Sequence, residues 1–182
     1  MRGAPNQKYE DWIGSDSWKD GQESEDLFGA LLLEKYPEAR RATLEQQYKG
    51  MDWICSKGSI DVKTMKSLQR GSERQQDFIW IEFKNNAGDQ GWIHGEMDWI
   101  AFEKEDRYVL CKRWDLCYIA ERLCDLTSMV QNSQDALYKG YSRKNRKDLL
   151  SMIRASDLDQ IPTQTLKKWR TSTSTTQATQ SS

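Results

Sequence analysis

The sequence predicts an α/β (α+β) domain with a mixed central sheet flanked by helices. Three observations carry that prediction: an apolar stripe at helical spacing near residue 30, a series of short β-branched and aromatic runs after it, and a second helical stripe followed by a last strand-like run. At 182 residues the chain suffices for one domain with a real core and is too short for two of ordinary size. Apolar residues make up 37% and charged residues 30%, yet eight Trp, seven Tyr and four Phe supply bulk that a disordered chain lacks.

Residues 1–21 are polar, with Pro5, Gly14 and Gly21, and read as an irregular arm. "ESEDLFGALLLEKYP" then sets Leu27, Phe28, Leu31 and Leu32 at helical spacing, places acids where the helix dipole favours them and stops at Pro37. Four runs, "ARRATLEQQ", "MDWICS", "SIDVKTM" and "DFIWIEFK", are punctuated by Gly50, Gly58 and the polar "SLQRGSERQQ", and predict a meandering sheet. "DWIAFE" and "RYVLCKR" add two strands around the turn "KED". "WDLCYIAERLCDLTSMV" repeats Leu116, Ile119, Leu123, Leu126 and Val130 at three- and four-residue steps, which predicts a second helix over the whole run. "DLLSMIRASDL" predicts a final strand entering a short helical turn. The tail 171–182, "TSTSTTQATQSS", has nothing to bury and is expected to be disordered, leaving 22–170 as the domain.

No apolar run approaches a membrane span and the N-terminus has no signal-peptide core, so a soluble, cytoplasmic protein without a membrane partner is expected. Cys55, Cys111, Cys117 and Cys124 include no C-x-x-C pair and read as buried free thiols in preference to disulfides or a zinc site. The single histidine, His94 in "GWIHGE", reads as a loop residue. It also excludes zinc fingers and two-histidine metalloprotease motifs, so any hydrolytic chemistry must run on carboxylates, lysine and a divalent ion. A net charge of −1 argues against a protein that coats nucleic acid, but nine Lys or Arg against three Asp between residues 139 and 170 make either a solvated face or a phosphate-contacting patch.

The chemistry-bearing pattern is Asp61-Val62-Lys63. Composition alone yields about two acid-x-Lys triplets, and two are present, so the triplet carries weight only through its context. In a strand, Asp61 and Lys63 share one face while Ile60, Val62 and Thr64 take the other. Asp52, nine residues upstream across a glycine-containing turn, suits an adjacent antiparallel strand and would approach Asp61. Two such carboxylates repel unless a cation lies between them, and Mg²⁺ with its hard oxygen ligands is the natural one, Mn²⁺ substituting for it. Lys63 would then orient or deprotonate an attacking water and steady a phosphate.

Gly21-x-x-x-Glu25 opening an apolar helix, then Asp52, then Asp61-x-Lys63, resembles the PD-(D/E)XK nuclease superfamily, the restriction-endonuclease-like fold, over about residues 22–160. "EFKNNAGDQGWIHGEMDWIAF" is similar to a segment of small phage-type nucleases, and Holliday-junction resolvases are a further likeness. The resemblance implies Glu25, Asp52, Asp61 and Lys63 as the catalytic set, with Glu25, Asp52 and Asp61 toward the metal. It implies a phage-encoded Mg²⁺-dependent endonuclease hydrolysing phosphodiester bonds of branched or specific DNA, with a homodimer as the expected assembly. Met51 stands where the family has proline, and Asp61 where the resolvases have glutamate. The competing triplet is Glu82-Phe83-Lys84. If Asp61-x-Lys63 is the active one, Glu82 becomes a neighbour in the same cleft. Trp92 is read either as a base-stacking residue or as core, and Trp99 as core. The alternatives are a non-cleaving nucleic-acid-binding or structural module on the same scaffold, and an unrelated α+β interaction domain.

Overall fold

The computed structural model describes residues 16–68 and 72–169. It is a mixed α+β structure with few helices and sheets of mixed strand direction. The arm up to residue 15 and the tail 171–182 lie outside the described residues, but 16–21, assigned to the arm from sequence, already belong to the first helix, α1, Asp16–Lys35. A 20-residue helix covers a sheet better than the 13 or so residues its apolar stripe alone marks out.

After α1 come β1 (Arg40–Arg41), the short α2 (Leu44–Gln47), β2 (Trp53–Cys55) and β3 (Gly58–Lys63). Then follow the small hairpin of β4 (Lys66–Ser67) and β5 (Arg74–Gln75), and β6 (Phe78–Lys84). A 3₁₀ turn at Trp92–His94 leads to β7 (Trp99–Glu103), β8 (Arg107–Lys112) and α3 (Arg113–Leu123). The chain ends with β9 (Asp125–Val130), β10 (Lys139–Tyr141), β11 (Leu149–Arg154), a 3₁₀ turn and β12 (Thr163–Lys167).

The expected single meander is instead two main sheets. One has the order β1-β2-β3-β7-β8-β12, with β3 and β7 parallel and the other pairs antiparallel. The other has the order β6-β11-β10-β9. β6 pairs with β11 instead, and its buried row, Ile79, Ile81 and Phe83, joins the core that lies between α3, the second sheet and the far face of the first. The second helical run is also cut short. Cys124 turns extended, and 125–130 alternates exposed and half-buried residues in a strand parallel to β10, so Leu126 and Val130 belong to a sheet.

Two cores sandwich the first sheet. On one face Phe28, Leu31 and Leu32 of α1 meet Trp53, Ile60, Val62, Ala101, Tyr108 and Leu110. Gly29 lets the helix come this close, since a Cβ there would stand 1.8 Å from the Trp53 ring. On the other face Ile100, Phe102 and Cys111 pack toward α3 and the second sheet. Tyr108 Oη donates to Ser24 O at 2.8 Å and ties α1 to β8. Among the described residues no helix is long and apolar enough to cross a membrane.

Candidate active site

β2 and β3 form the antiparallel pair that the nine-residue spacing anticipates, Trp53 opposite Ile60 and Cys55 opposite Gly58. Gly58 closes the turn at φ +121, a conformation that glycine tolerates. Asp52 sits just before β2, its N–H donating to Ile60 O at 2.8 Å and its Oδ2 accepting from Val62 N at 2.7 Å. Ile60 and Val62 point into the α1 core, while Asp61 and Lys63, opposite Ile100 and Phe102 on parallel β7, point to the side of the second sheet.

Asp61 is 3% exposed, whereas the Lys63 side chain retains 29% of its exposure. The Lys63 ammonium lies 2.7 Å from Asp61 Oδ2. Oδ2 is buried, and the Lys63 ammonium is its charge partner, favouring the ionised carboxylate against the cost of its burial.

Burial pushes the Asp61 carboxyl up to about 7, with the Lys63 charge opposing and the Asp52 charge adding to the rise. Burial likewise raises Asp52, against the Val62 N–H and the Lys63 charge. Glu25 is raised to about 7 by burial and then by Asp52, in spite of Arg41. For Lys63, burial works against the ammonium, but Asp61, Asp52 and Glu82 together outweigh it and hold its pKa above the usual lysine value. The shifts on the two partners differ in what they say of the pair. The lysine is well served by three acids, whereas Asp61 must share one cation with Asp52. The centre therefore has more carboxylate than its single ammonium neutralises.

The structure brings together Asp52, Asp61 and Lys63 but holds Glu25 apart. α1 packs on the face of β3 opposite Asp61, so Glu25 reaches only Asp52's side, and its Oε2 is engaged by Arg41 Nη1 at 3.1 Å. Arg41 also pairs with Asp26 and stands over the Trp53 ring at 5.6 Å. Among the described residues, oxygens from Glu25, Asp52 and Asp61 do not all come within 4.8 Å of one another.

Glu82 does face the cleft. On β6, Phe78, Trp80 and Glu82 are half-buried on one side while Ile79, Ile81 and Phe83 fill the core, and burial raises the Glu82 carboxyl against the charge of Lys63. Its triplet partner Lys84 is exposed at the strand end, so Glu82 acts with Lys63 and not with Lys84. Trp92 is half-buried, its ring 5.0 Å from Lys63 Nζ and edge-on to Phe102, which makes it both a wall of the site and a partner of the cation. Trp99 is half-buried, with Lys112 over its ring at 4.0 Å.

A groove runs from Lys63 past Lys66, Phe78, Trp80, Trp92 and Lys104. Elsewhere the loop after β10 docks on Asn86 through Arg143 Nη2 at 2.6 Å and Arg146 Nη1 at 3.1 Å. Arg143 also pairs with buried Asp148, and its charge reaches Glu82. Arg41 and Arg143 escape sequence reasoning because each enters from an element remote from the triplet, and Lys66 because nothing in the triplet's spacing singles it out. Only the local basic excess of 139–170 signals Arg143.

For a hard divalent cation the donor set fits at Asp52 and Asp61: two neighbouring carboxylates, both raised by burial, and a charge excess of the right sign. Set against family models, curated proteins and solved structures, the chain matches none of them.

Proposed function

We propose that the protein is a Mg²⁺-dependent deoxyribonuclease of the PD-(D/E)XK type that hydrolyses phosphodiester bonds. The observation that carries the proposal is the buried Asp61 carboxylate, raised by its burial, beside both Lys63 and Asp52. A fold evolved only for stability gains nothing from two raised carboxylates sharing one ammonium, since uncompensated buried charge is costly. The restriction-endonuclease-like arrangement is supported by the order of parts: a helix over an antiparallel hairpin that carries the acids, then a strand parallel to the second hairpin strand.

Asp52 and Asp61 would hold the metal, with Glu25 acting on Asp52 from the far side. When bound, Mg²⁺ supplies Lewis-acid stabilisation of the charge that grows on the phosphate oxygens. Lys63, kept cationic by its acidic neighbours and partly open to solvent, steadies the same phosphate charge and orients the attacking water. Glu82 fixes Lys63 from the opposing sheet. Trp92 limits water access on one side, and Arg143, Lys144 and Arg146 border the path of a phosphate backbone. A phage-encoded enzyme acting on branched DNA as a symmetric dimer is the form that best suits such a small single-site chain.

The test is cleavage of supercoiled plasmid, linear duplex, single strand and a four-way junction, in Mg²⁺ or EDTA, by wild type and Asp61→Ala. Metal-dependent cutting that disappears in the variant supports the nuclease, and the preferred substrate defines its geometry. Binding without cutting by both proteins would make it a nucleic-acid-binding module.

A further inference from the structure

The lone histidine, expected in a loop, lies instead in the 3₁₀ turn Trp92–His94, and the turn docks on α3. There Cys117, one of four free cysteines, and Glu121 occupy positions i and i+4 and so share a helix face. Cys117 Sγ is 3.6 Å from His94 Nδ1 and 3.6 Å from Glu121 Oε1, and Oε1 is 4.0 Å from His94 Nε2. One ligand atom from each residue lies within 4.8 Å of the other two, a convergence that no other His, Cys, Asp or Glu group among the described residues achieves.

We propose that His94, Cys117 and Glu121 form a zinc site with three protein ligands and a fourth position open to water. The geometry points to zinc because tetrahedral bonds of about 2.3 Å to sulfur and about 2.0–2.1 Å to nitrogen or oxygen place S···N and S···O near 3.6 Å. Both sulfur edges already have that length. With Nδ1 as the histidine ligand the 4.0 Å contact of Glu121, which is to Nε2, is not the third edge; that edge closes by a swing of the Glu121 carboxylate, whose side chain is 56% exposed. Thiolate, imidazole and carboxylate together suit a borderline-soft ion and not Mg²⁺, so this site and the Asp52–Asp61 pair select different metals.

The ligands are held in place before any ion arrives. Arg113, at the start of α3, donates from Nη1 to Ile93 O at 3.1 Å and from Nε to Met97 O at 3.2 Å, fixing the turn to the helix. His94 also packs against Phe83 of β6 at 6.2 Å between ring centroids. Zinc binding releases the Cys117 thiol proton to solvent, forms the Zn–S bond and displaces waters of the hydrated ion. Its consequence is a clamp between α3 and the turn that carries Trp92, the ring beside Lys63. The inference stands apart from the nuclease proposal and holds whether or not DNA is cut.

The experiment is a Co²⁺ titration of the chelator-stripped full chain, followed by displacement with Zn²⁺. Thiolate-bound Co²⁺ has an intense near-ultraviolet charge-transfer band, which carboxylate-bound Co²⁺ at Asp52 and Asp61 lacks. The expected result is one equivalent giving that band, and its disappearance in Cys117→Ser. In His94→Gln the affinity should fall by more than the roughly 10–100-fold that removing an outer partner costs. Cys55→Ser should behave as wild type. Zinc should raise the Tm of wild type and leave that of Cys117→Ser unchanged. No band, a band that persists in Cys117→Ser, or equal affinity in His94→Gln overturns the proposal. Should both variants fail to fold by circular dichroism, Glu121→Gln at its exposed helix position decides: about tenfold weaker binding or more supports the site, and unchanged binding overturns it.

Discussion

Asp61 and Lys63 meet at 2.7 Å across one face of β3, the carboxylate buried and the ammonium partly open to solvent. The relationship follows from strand geometry. Side chains two residues apart on a strand share one face, close enough for the ammonium and the carboxylate to pair.

Cleavage should fall by roughly 10²–10³-fold or more in Asp61→Asn and in Lys63→Ala, each removing charge from the centre. Glu82→Ala should reduce it less, because Glu82 acts through Lys63. Initial rates on plasmid DNA measure this. Full activity in Asp61→Asn together with an inactive Glu82→Ala would transfer the site to the other triplet.

Stability should decline as pH rises. Glu25 and Asp61 have folded-state pKa values near 7, above the ordinary values of 4.5 and 3.8, so the folded chain binds more protons than the unfolded one between about pH 4 and pH 7. The stabilisation is whole below that window and disappears through it. A rise of this size corresponds to about 4 kcal/mol per group at most, and screening of the partly exposed Glu25 together with the Lys63 counter-charge reduces the total to about 1–3 kcal/mol. Urea unfolding at pH 5 and pH 8 in EDTA reads the difference, and millimolar Mg²⁺ should largely abolish it. A flat profile in EDTA would show that the carboxylates are not strained.

Gly29→Ala tests the seat of α1. Alanine is favoured in a helix by about 1 kcal/mol, but a Cβ 1.8 Å from the Trp53 ring forces the helix off β2. The expected net destabilisation is about 1–3 kcal/mol by denaturant titration. A gain in stability would mean that the Trp53 ring turns aside freely.

Lys144→Ala combined with Arg146→Ala should weaken DNA binding equally for all sequences. Removing one cation from a phosphate should reduce the magnitude of the log-log salt slope by about 0.9, hence by about 2 for the pair. Both side chains are exposed, and Arg143 keeps its own hydrogen bond to Asn86 when that of Arg146 is lost, so the fold should hold. Arg143 is spared in this design because its removal would leave buried Asp148 without its cation. An unchanged slope would return this loop to a solvated face.

Much of the site was legible in the sequence by itself. The period-2 alternation of "SIDVK" and the turn at Gly58 are local features, so the hairpin, the shared face of Asp61 and Lys63 and the nearness of Asp52 follow from strand geometry alone. The apolar stripe of α1 and its stop near Pro37 are equally local. Tertiary structure alone decided the rest. Glu25 reaches Arg41 and the charge of Asp52 without converging on Asp61, because helix packing, not spacing, selects the face of β3 that α1 covers. Glu82 and Trp92 enter the cleft because β6 joins another sheet, and residues 125–130 become a strand because β10 is there to pair with. His94 meets Cys117 and Glu121 only when a 3₁₀ turn docks on α3. Short-range periodicity encodes which residues share a face, whereas which two faces meet depends on the burial of apolar surface over the whole chain.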